Sequence, residues 1–553
     1  MREFPDRALR PAHAALRQVA ERQLPRVLTQ LDRDLDSPTA GCFDRNHWHY
    51  KIRDYPSSIL QQGAFLLEGM RRGDLGASLQ LDEEKITDWT VAAVQALGRQ
   101  VDRAGGVDEY YPYERSYPAA AFGLHAAAVI LRGWQTDAPE LLDRIDFTPL
   151  ARLAKHLSGR FEGKASNQQA IGLAALAVAT HIPALHVSRE RVEGIADRFF
   201  ALQHNEGWFD EYGGPDLGYL AVTLDALADL EDATGDPRAA RAVDRAVDFF
   251  AAVIGTDGAV PGTLNSRNTD YVVPYGLTRA AARNATAAWL LEEWFQNADD
   301  PSHFLAATDD RYHSHYIYAS IVRSLPHLAA VRHPEEPPRD QDLWLPGAGY
   351  RILRSEDGSW SLAIAAKKGG LIRLHRRGQA PLVDHGWRLH GERALWSTNF
   401  WNLDLEIDSD DGAVEVRGRA TSAKPLKATP LKHMILRGAA WLGRERLIPL
   451  LKRAMIFRSS EAGPEFTRRI EWSAEELRVI DRFPARVGVT VSPSPRQNLR
   501  HVASAESFHV EDATASAMEQ ALKSSEEKVP RSLEAEASFE GTFALREAPI
   551  ETL

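Results

Sequence analysis

The sequence predicts an α+β multidomain chain, with a long helical domain first and a mainly β domain after it. Three observations carry that prediction. Roughly the first 330 residues read as helix after helix, with little strand-like alternation. A stretch that cannot continue a helix follows, His333-Pro334-Glu335-Glu336-Pro337-Pro338-Arg339-Asp340. Beyond it the apolar period shortens to two: Trp360, Leu362 and Ile364 alternate, as do Leu403, Leu405 and Ile407.

Taken in order, the elements support this reading. Leu124 to Gly133, Ala170 to Thr180 and Thr286 to Trp294 are Ala- and Leu-rich helices. Val243, Val247, Phe250 and Ile254 fall at helical spacing, and Gly255 is the expected C-cap. Asn205 to Leu230 begins as a loop of Gly, Asp, Glu, Trp and Tyr, and becomes a helix with Leu220, Leu224 and Leu227 on one face. Gly213-Gly214-Pro215 breaks the backbone just before that helix. Many helix pairs without a fixed sequence period point to a closed toroid or an irregular bundle, not to a solenoid of exact repeats. In the β part, Asp411-Gly412 is a hairpin signal before Val414-Glu415-Val416. Phe466 to Trp472 and Leu477 to Ile480 are strands, and Phe539 and Phe543 mark a last one. Leu431 to Phe457 departs from the pattern. It is basic, amphipathic and helical, an insertion that either packs on the helical domain or lies on a membrane surface.

Composition narrows the function. At 553 residues the chain can bury a large core, and its net charge of −11 argues against a general binder of nucleic acid or anionic membranes. The single cysteine, Cys42, excludes an internal disulfide and any multi-cysteine metal site. The N-terminal residues lack an apolar signal region, and no apolar run is long enough to span a bilayer. The expectation is a cytoplasmic protein without an integral membrane segment, or a periplasmic one if an upstream signal has been removed.

Four loops of the helical half are dense in functional side chains. They are Phe43 to Asp54, with His47, Trp48, His49, Tyr50 and Arg53; Gly106 to Tyr117, with Glu109, Tyr110, Tyr111 and Arg115; the 205–219 stretch, with Glu211, Tyr212, Asp216 and Tyr219; and Asn265 to Tyr271, with Arg267 and Asn268. Aromatic rings beside Arg, Asn and carboxylates suit sugars, since rings stack on the pyranose face while polar groups take the hydroxyls. Each loop alone is also explained as a packed, hydrogen-bonded corner. Four in one domain predict a shared carbohydrate cleft. His313 and His315 lack a carboxylate at ligand spacing and read as ordinary helix residues. No metal site and no cofactor is expected.

Two of these stretches carry a resemblance. Asn167, in Ala165-Ser166-Asn167-Gln168, and the Gly-rich run from Glu211 that ends in Tyr219 resemble motifs of the heparinase II/III-like polysaccharide lyases. The resemblance implies an N-terminal (α/α) toroid over 1–332, a linker over 333–345 and an antiparallel β-sandwich over 346–553. It also implies that Asn167 and Tyr219 are catalytic. Gln168 stands where the family usually has His. The β-domain region from Lys368 to His375 and from Pro381 to Gly386 keeps an Asp-x-Gly element but lacks the family's double-His signature. His375 is a further catalytic candidate, and His375 or His385 is expected to face the helical cleft.

The implied reaction is β-elimination in an acidic, uronate-containing polysaccharide. It requires a group that neutralises the carboxylate, a base for the alpha proton and an acid for the leaving oxygen. Asn167 with Gln168, Tyr219 or Tyr111, and Arg115 or Arg267 as the cation that lowers the tyrosine pKa, would supply these parts. Asn167 is also explained as an N-cap of the Ala-rich helix that follows it. The runner-up is a glycoside hydrolase on the same toroid, using carboxylates such as Glu109 and Glu211, or Asp108 and Asp216, across a sugar. A non-catalytic polysaccharide-binding protein is the third reading.

Overall fold

A computed structural model describes residues 11–259, 262–301, 303–423, 427–455, 463–494, 508, 514–525 and 531–546. The helical domain contains α1 (Pro11–Leu28), α2 (Arg45–Trp48), α3 (Ala64–Arg71), α4 (Glu83–Gln100), α5 (Tyr117–Asp137), α6 (Phe147–Ser158), α7 (Ser166–Ala179) and α8 (Arg189–Phe200). It continues with α9 (Leu217–Thr234), α10 (Pro237–Val253), α11 (Tyr275–Ala281), α12 (Ala285–Phe295), the short α13 (Phe304–Ala307) and α14 (Asp310–Tyr312), and α15 (Tyr318–Ser324).

The helices form a closed ring. α3, α5, α7, α9, α11 and α15 each touch the next, and α15 returns to α3. α7 is buried along almost its whole length, as the Ala- and Leu-rich sequence requires of a helix walled in on every side. α4, α6, α8 and α10 bury one face and expose the other, so they pack outside the ring. Side-chain contacts fix the direction of the inner helices. At one end, the Tyr117 hydroxyl that opens α5 donates to Gln169 Oε1 of α7 at 3.0 Å. At the other, Arg132 of α5 reaches the Asp232 carbonyl late in α9. Inner helices therefore run parallel, and every loop that enters one opens at the same end of the ring. This is why loops far apart in sequence converge.

The β domain is three five-stranded antiparallel sheets. The first runs β1 (Asp342–Leu345), β2 (Tyr350–Arg354), β3 (Trp360–Ala365), β4 (Leu371–Arg376), β5 (Leu382–Asp384). The strands β6 (Trp387–His390), β7 (Leu395–Ser397), β8 (Glu406–Ser409), β9 (Ala413–Arg419), β10 (Thr421–Ser422), β11 (Glu465–Trp472), β12 (Glu476–Phe483), β13 (Thr490–Pro493), β14 (Arg531–Ser532) and β15 (Ala537–Ala544) complete it. They form sheets ordered β10-β7-β6-β13-β14 and β15-β12-β11-β9-β8. One apolar core, including Trp360, Ile364, Trp387, Val416, Ile470, Phe483 and Phe539, joins all three. Tyr350, Ile352, Ala365, Leu371 and Trp401 instead join the core of the toroid, so the first sheet is also the seam between domains.

Three local expectations need correction. The sheet starts at Asp342, inside the predicted linker, because Leu343 and Leu345 pack on the core of the toroid. Helix α10 ends at Val253, with Ile254 as an extended C-cap, and Gly255 does not take the left-handed conformation. Leu403 and Leu405 lie outside β8. The predicted insertion is α16 (Pro430–Gly443) and α17 (Leu447–Met455), and its last predicted residues, 456 and 457, lie outside the described residues. α18 (Ala517–Ser524) covers part of the last sheet. No helix among the described residues is long and apolar enough to cross a membrane.

Candidate active site

The mouth of the ring is built from loop backbone held by buried carboxylates. Ala165, not Asn167, is the N-cap of α7, and it makes no side-chain capping bond. Glu211 fills that role from the next loop, its Oε1 accepting the Asn167 N–H at 2.5 Å. Asp216 caps α9 through the Tyr219 N–H at 3.0 Å, and its other oxygen accepts from the N–H groups of Arg267 at 3.2 Å and Thr269 at 3.3 Å. One side chain therefore fixes two of the predicted loops to each other. Ser266 Oγ donates to the Glu211 carbonyl at 2.7 Å and tightens the same junction.

Asn167, Gln168, Glu211, Tyr212, Tyr219, Arg267 and Asn268 lie on segments that meet at this junction. The Arg267 guanidinium lies 4.6 Å from the centre of the Tyr212 ring, and Gln168 Nε2 lies 3.4 Å from the Tyr212 hydroxyl. Asn167 is buried, and its Oδ1 accepts the Gln168 N–H at 2.7 Å. No described group accepts a hydrogen bond from its Nδ2.

The loops at 43–54 and 106–117 form the other wall. Arg53 donates to the Glu109 carbonyl, Tyr55 to the Tyr110 carbonyl, and the Ser58 N–H to the Asp108 carbonyl at 2.9 Å. Within the first loop His47 Nδ1 is bonded to the Arg53 carbonyl at 3.1 Å and Trp48 Nε1 to the Gln30 carbonyl at 2.8 Å. His49 packs edge-on to Tyr50, which is largely exposed. Trp48 is thus fixed by its own indole N–H, and the exposed Tyr50 ring carries the Arg45 guanidinium 5.4 Å from its centre.

Three residues that the sequence reading passed over join the two walls. A π-helical segment, His313–Ile317, separates α14 from α15. Such insertions re-aim side chains inside a helix and concentrate at functional sites. Just before it and within it, Arg311, Tyr312 and Tyr316 reach the mouth. The Arg311 guanidinium lies 5.0 Å from the Tyr110 ring centre and 3.5 Å from Glu109 Oε1. Tyr312 stacks on Tyr316 at 5.4 Å and approaches Tyr271 at 6.3 Å. The signal in the sequence was the Arg311-Tyr312-x-x-x-Tyr316 spacing, which was read only through its histidines. His313 is buried against Tyr318, and burial lowers its pKa to about 4, so it is a neutral core residue. The His315 side chain lies outside the described part of the structure.

Electrostatics sort the candidates. Burial holds the Tyr219 phenol well above the ordinary tyrosine range, Tyr312 and Tyr271 add to the shift, and Arg267 opposes it. Tyr219 is therefore a neutral phenol at neutral pH, against the expectation of a tyrosine whose pKa is lowered. Arg115 is not the cation beside it. Arg115 is bound to Asp102 at 2.7 Å and Glu445 at 3.3 Å. Burial also raises Tyr111, whose neighbours are Glu114 and Asp108, not the Tyr219 group. Glu211 is held well above the usual carboxylate range by burial, and Asp216 is pushed up to about 6 for the same reason. Glu109 is raised by burial too, against Arg311 and the Ser116 hydroxyl, which donates to it at 2.8 Å. Glu211 Oε1 and both oxygens of Asp216 are bound to backbone N–H groups at helix and loop starts, while Glu211 Oε2 is buried with no hydrogen-bond partner among the described residues.

His375 faces the helical domain but sits apart from this group. Its Nδ1 meets Thr256 Oγ1 at 2.9 Å, beside the Arg373–Asp257 ion pair of 2.7 Å. Those are the first residues of the 254–274 loop, while the later ones reach Tyr219. The Asp384-His385-Gly386 element is a turn. Gly386 has φ +67°, its N–H bonds to Asp384 Oδ1 at 2.9 Å, and Asp384 pairs with the buried Arg468. His385 is buried within it.

The β domain still shapes the mouth. Trp401 Nε1 donates to the Gly213 carbonyl at 3.1 Å, and its ring lies where a side chain at Gly214 would have to go. Lys368 Nζ donates to the Asn265 carbonyl at 2.9 Å and to Asn268 Oδ1. Lys51, Tyr113, Arg115, Tyr212 and Asn268, all in the four loops, have φ between +50° and +67°. Non-glycine residues rarely adopt that region, at a cost of order 1–3 kcal/mol each, and such residues cluster at ligand sites.

No protein-family model matches the chain, and no curated protein sequence matches it. Solved structures do. The chondroitin AC lyase of Streptomyces coelicolor A3, in complex with chondroitin sulphate, superposes with a TM-score of 0.52 over 89% of this chain and 69% of that one, at 13% identity. The chain has the fold of a polysaccharide lyase. At that identity the likeness establishes the toroid and its β domain, not the chemistry. A heparan sulfate lyase, HepC from Pedobacter heparinus, reaches 0.37 over 74% of this chain and 60% of that one at 10% identity. A β-L-arabinofuranosidase from Geobacillus Stearothermophilus T6 reaches 0.32 over 97% and 95% at 10% identity. Both superpose too loosely to carry an argument.

Proposed function

We propose that this chain cleaves an acidic, uronate-containing polysaccharide by β-elimination. The observation that carries the reading is the meeting of Asn167, Tyr219 and Arg267 at the adjoining N-terminal ends of α7 and α9, in a lyase-type toroid. The Asn167 amide and the Arg267 guanidinium take the uronate carboxylate, so that the proton alpha to it becomes acidic. That proton leaves to a base, the electron pair becomes the new C=C bond, and the C–O bond to the neighbouring sugar breaks. Tyr219, a neutral phenol held by burial, gives its proton to the departing oxygen. For Tyr219 to serve as base as well, it must first ionise, with only Arg267 lowering the cost. The rings of Tyr212, Tyr312, Tyr110 and Tyr50 supply stacking surface.

The test is ultraviolet absorbance of the unsaturated uronate, measured on a panel of acidic polysaccharides. Tyr219→Phe should reduce turnover by about 10²–10⁴-fold, the usual cost of a positioned proton donor. New reducing ends without that absorbance would instead show hydrolysis and refute elimination.

A further inference from the structure

The two-helix insertion of the β domain carries a feature that neither folding nor the proposed cleavage uses. Ala440 is the buried residue of α16, and it marks the side turned to the protein. Leu431, Met434, Ile435 and Leu442 stand on the opposite side, at i, i+3, i+4 and i+11, and each is 62–77% exposed. Trp441 and, on α17, Leu450 are also exposed. The hairpin is tied down from behind. Arg437 pairs with Asp54, with one contact at 3.2 Å, and Glu445 pairs with Arg115. An apolar stripe of four large side chains is thus held facing outward, and no element among the described residues covers it.

We infer that this stripe docks on an anionic lipid surface. Charge is the deciding observation. Residues 427–453 contain seven Lys or Arg and one Glu, in a chain whose net charge is −11. A basic helix with an apolar face and a tryptophan lies in the interface plane of a bilayer, and anionic headgroups add to its binding. A second copy of the chain is a poorer occupant, because a two-fold contact through this patch would set the same positive segments against each other. An acidic sugar chain would meet the cations but has no use for a convex stripe of Leu, Met and Ile. Docking here would bring the loops at 43–54 and 106–117, to which the hairpin is tied, close to the lipid. The inference does not depend on the reaction at Tyr219.

The experiment is flotation of the full chain with vesicles of phosphatidylcholine alone and of phosphatidylcholine with phosphatidylglycerol, with analytical ultracentrifugation of the same samples without lipid. The expected result is binding to the anionic vesicles, weakened by salt and far weaker on neutral ones. Met434→Gln, Ile435→Gln and Leu442→Gln together should lower partitioning by more than about a hundredfold. Lys432→Gln with Arg446→Gln should lower it about 25-fold, roughly fivefold per cation. All five positions are exposed, so circular dichroism should be unchanged. The inference is overturned if the wild type does not float with anionic vesicles or if the variants float equally well. It is also overturned if the wild type is a dimer that the triple variant abolishes, which would make the stripe a contact between copies.

Discussion

Glu211 separates the two catalytic readings of this toroid with a single pair of substitutions. Its Oε1 accepts the buried Asn167 N–H, and desolvation holds its carboxyl well above the usual carboxylate range. A neutral carboxyl and a carboxamide have nearly the same shape, and the glutamine oxygen can accept the same bond. Glu211→Gln should therefore leave both the fold and the rate close to wild type. Glu211→Ala removes the acceptor and strands a buried N–H, at a cost of about 1–3 kcal/mol. It also frees the first turn of α7, which carries Asn167. A displacement of about 1 Å at a positioning group costs up to roughly 10²-fold in rate, so the alanine variant should be slow as well as less stable. The pH dependence has a definite sign. A carboxyl whose folded pKa is raised loses stability as pH rises from its unfolded value near 4.3 toward the folded value. Relative to wild type, Glu211→Gln should gain stability with rising pH across that window. Thermal unfolding at several pH values and initial rates of product absorbance measure both effects. If Glu211→Gln abolishes turnover while unfolding at its normal temperature, Glu211 is a reacting carboxyl and the assignment of roles fails.

Further outcomes follow from the same geometry. With Tyr219 as acid only, the rate should not rise with pH through the tyrosine range near 10; a steady rise toward that range in a pH–rate profile would make it the base. Asp225, buried under the mouth with its Oδ1 accepting the Gly276 N–H at 2.6 Å, is raised to about 7 by burial. Asp225→Asn should stabilise the chain increasingly between about pH 4 and 7, by up to a few kcal/mol, and denaturant melts at each pH check this. Trp401→Ala removes a bond to the Gly213 carbonyl and the ring packed on Gly214. A large buried aromatic typically costs about 3–5 kcal/mol on truncation, and turnover should fall with it although Trp401 lies in the other domain.

The fold was legible because its signals are periodic. Helical spacing through the first half and alternation in the second gave the fold class without any contact being known, although Leu403 and Leu405 fall outside β8 and the sheet begins inside the predicted linker. Glu211, Tyr219 and Arg267 stood out by the composition of their loops, and Asn167 by the resemblance to the lyase motifs; the structure joins their segments through the Glu211 and Asp216 carboxylates. Roles were less legible. Asn167 also read as an N-cap, and only the structure shows Glu211 reaching across from the next loop to cap that helix. Arg311 and Tyr312 were hidden because a π-helical segment breaks the 3.6-residue spacing on which the reading depended. Arg115 and Arg267 look alike in sequence, yet one is spent on Asp102 and Glu445 while the other lies against Tyr212. The pKa of Tyr219 depends on burial from every side, which no local pattern encodes.

The groups proposed to react all lie in the toroid, yet the β domain holds the loops that carry them. The loops that enter the inner helices are long, and five of their non-glycine residues sit in left-handed backbone. Loops of that kind relax unless their surroundings over-determine them. Within the ring, buried carboxylates hold the backbone: Glu211 and Asp216 each bind N–H groups of a neighbouring loop or helix. From outside it, the β domain supplies what the ring cannot. Lys368 holds Asn268 at its positive φ, Tyr350 donates to the Leu264 carbonyl at 2.8 Å, and Trp401 backs the Gly213-Gly214 turn just before Tyr219. The first sheet and the segment around Trp401 thus act as a template for the 254–274 and 205–219 loops. The sheet's own histidine, His375, can then be occupied with Thr256 without loss to the site.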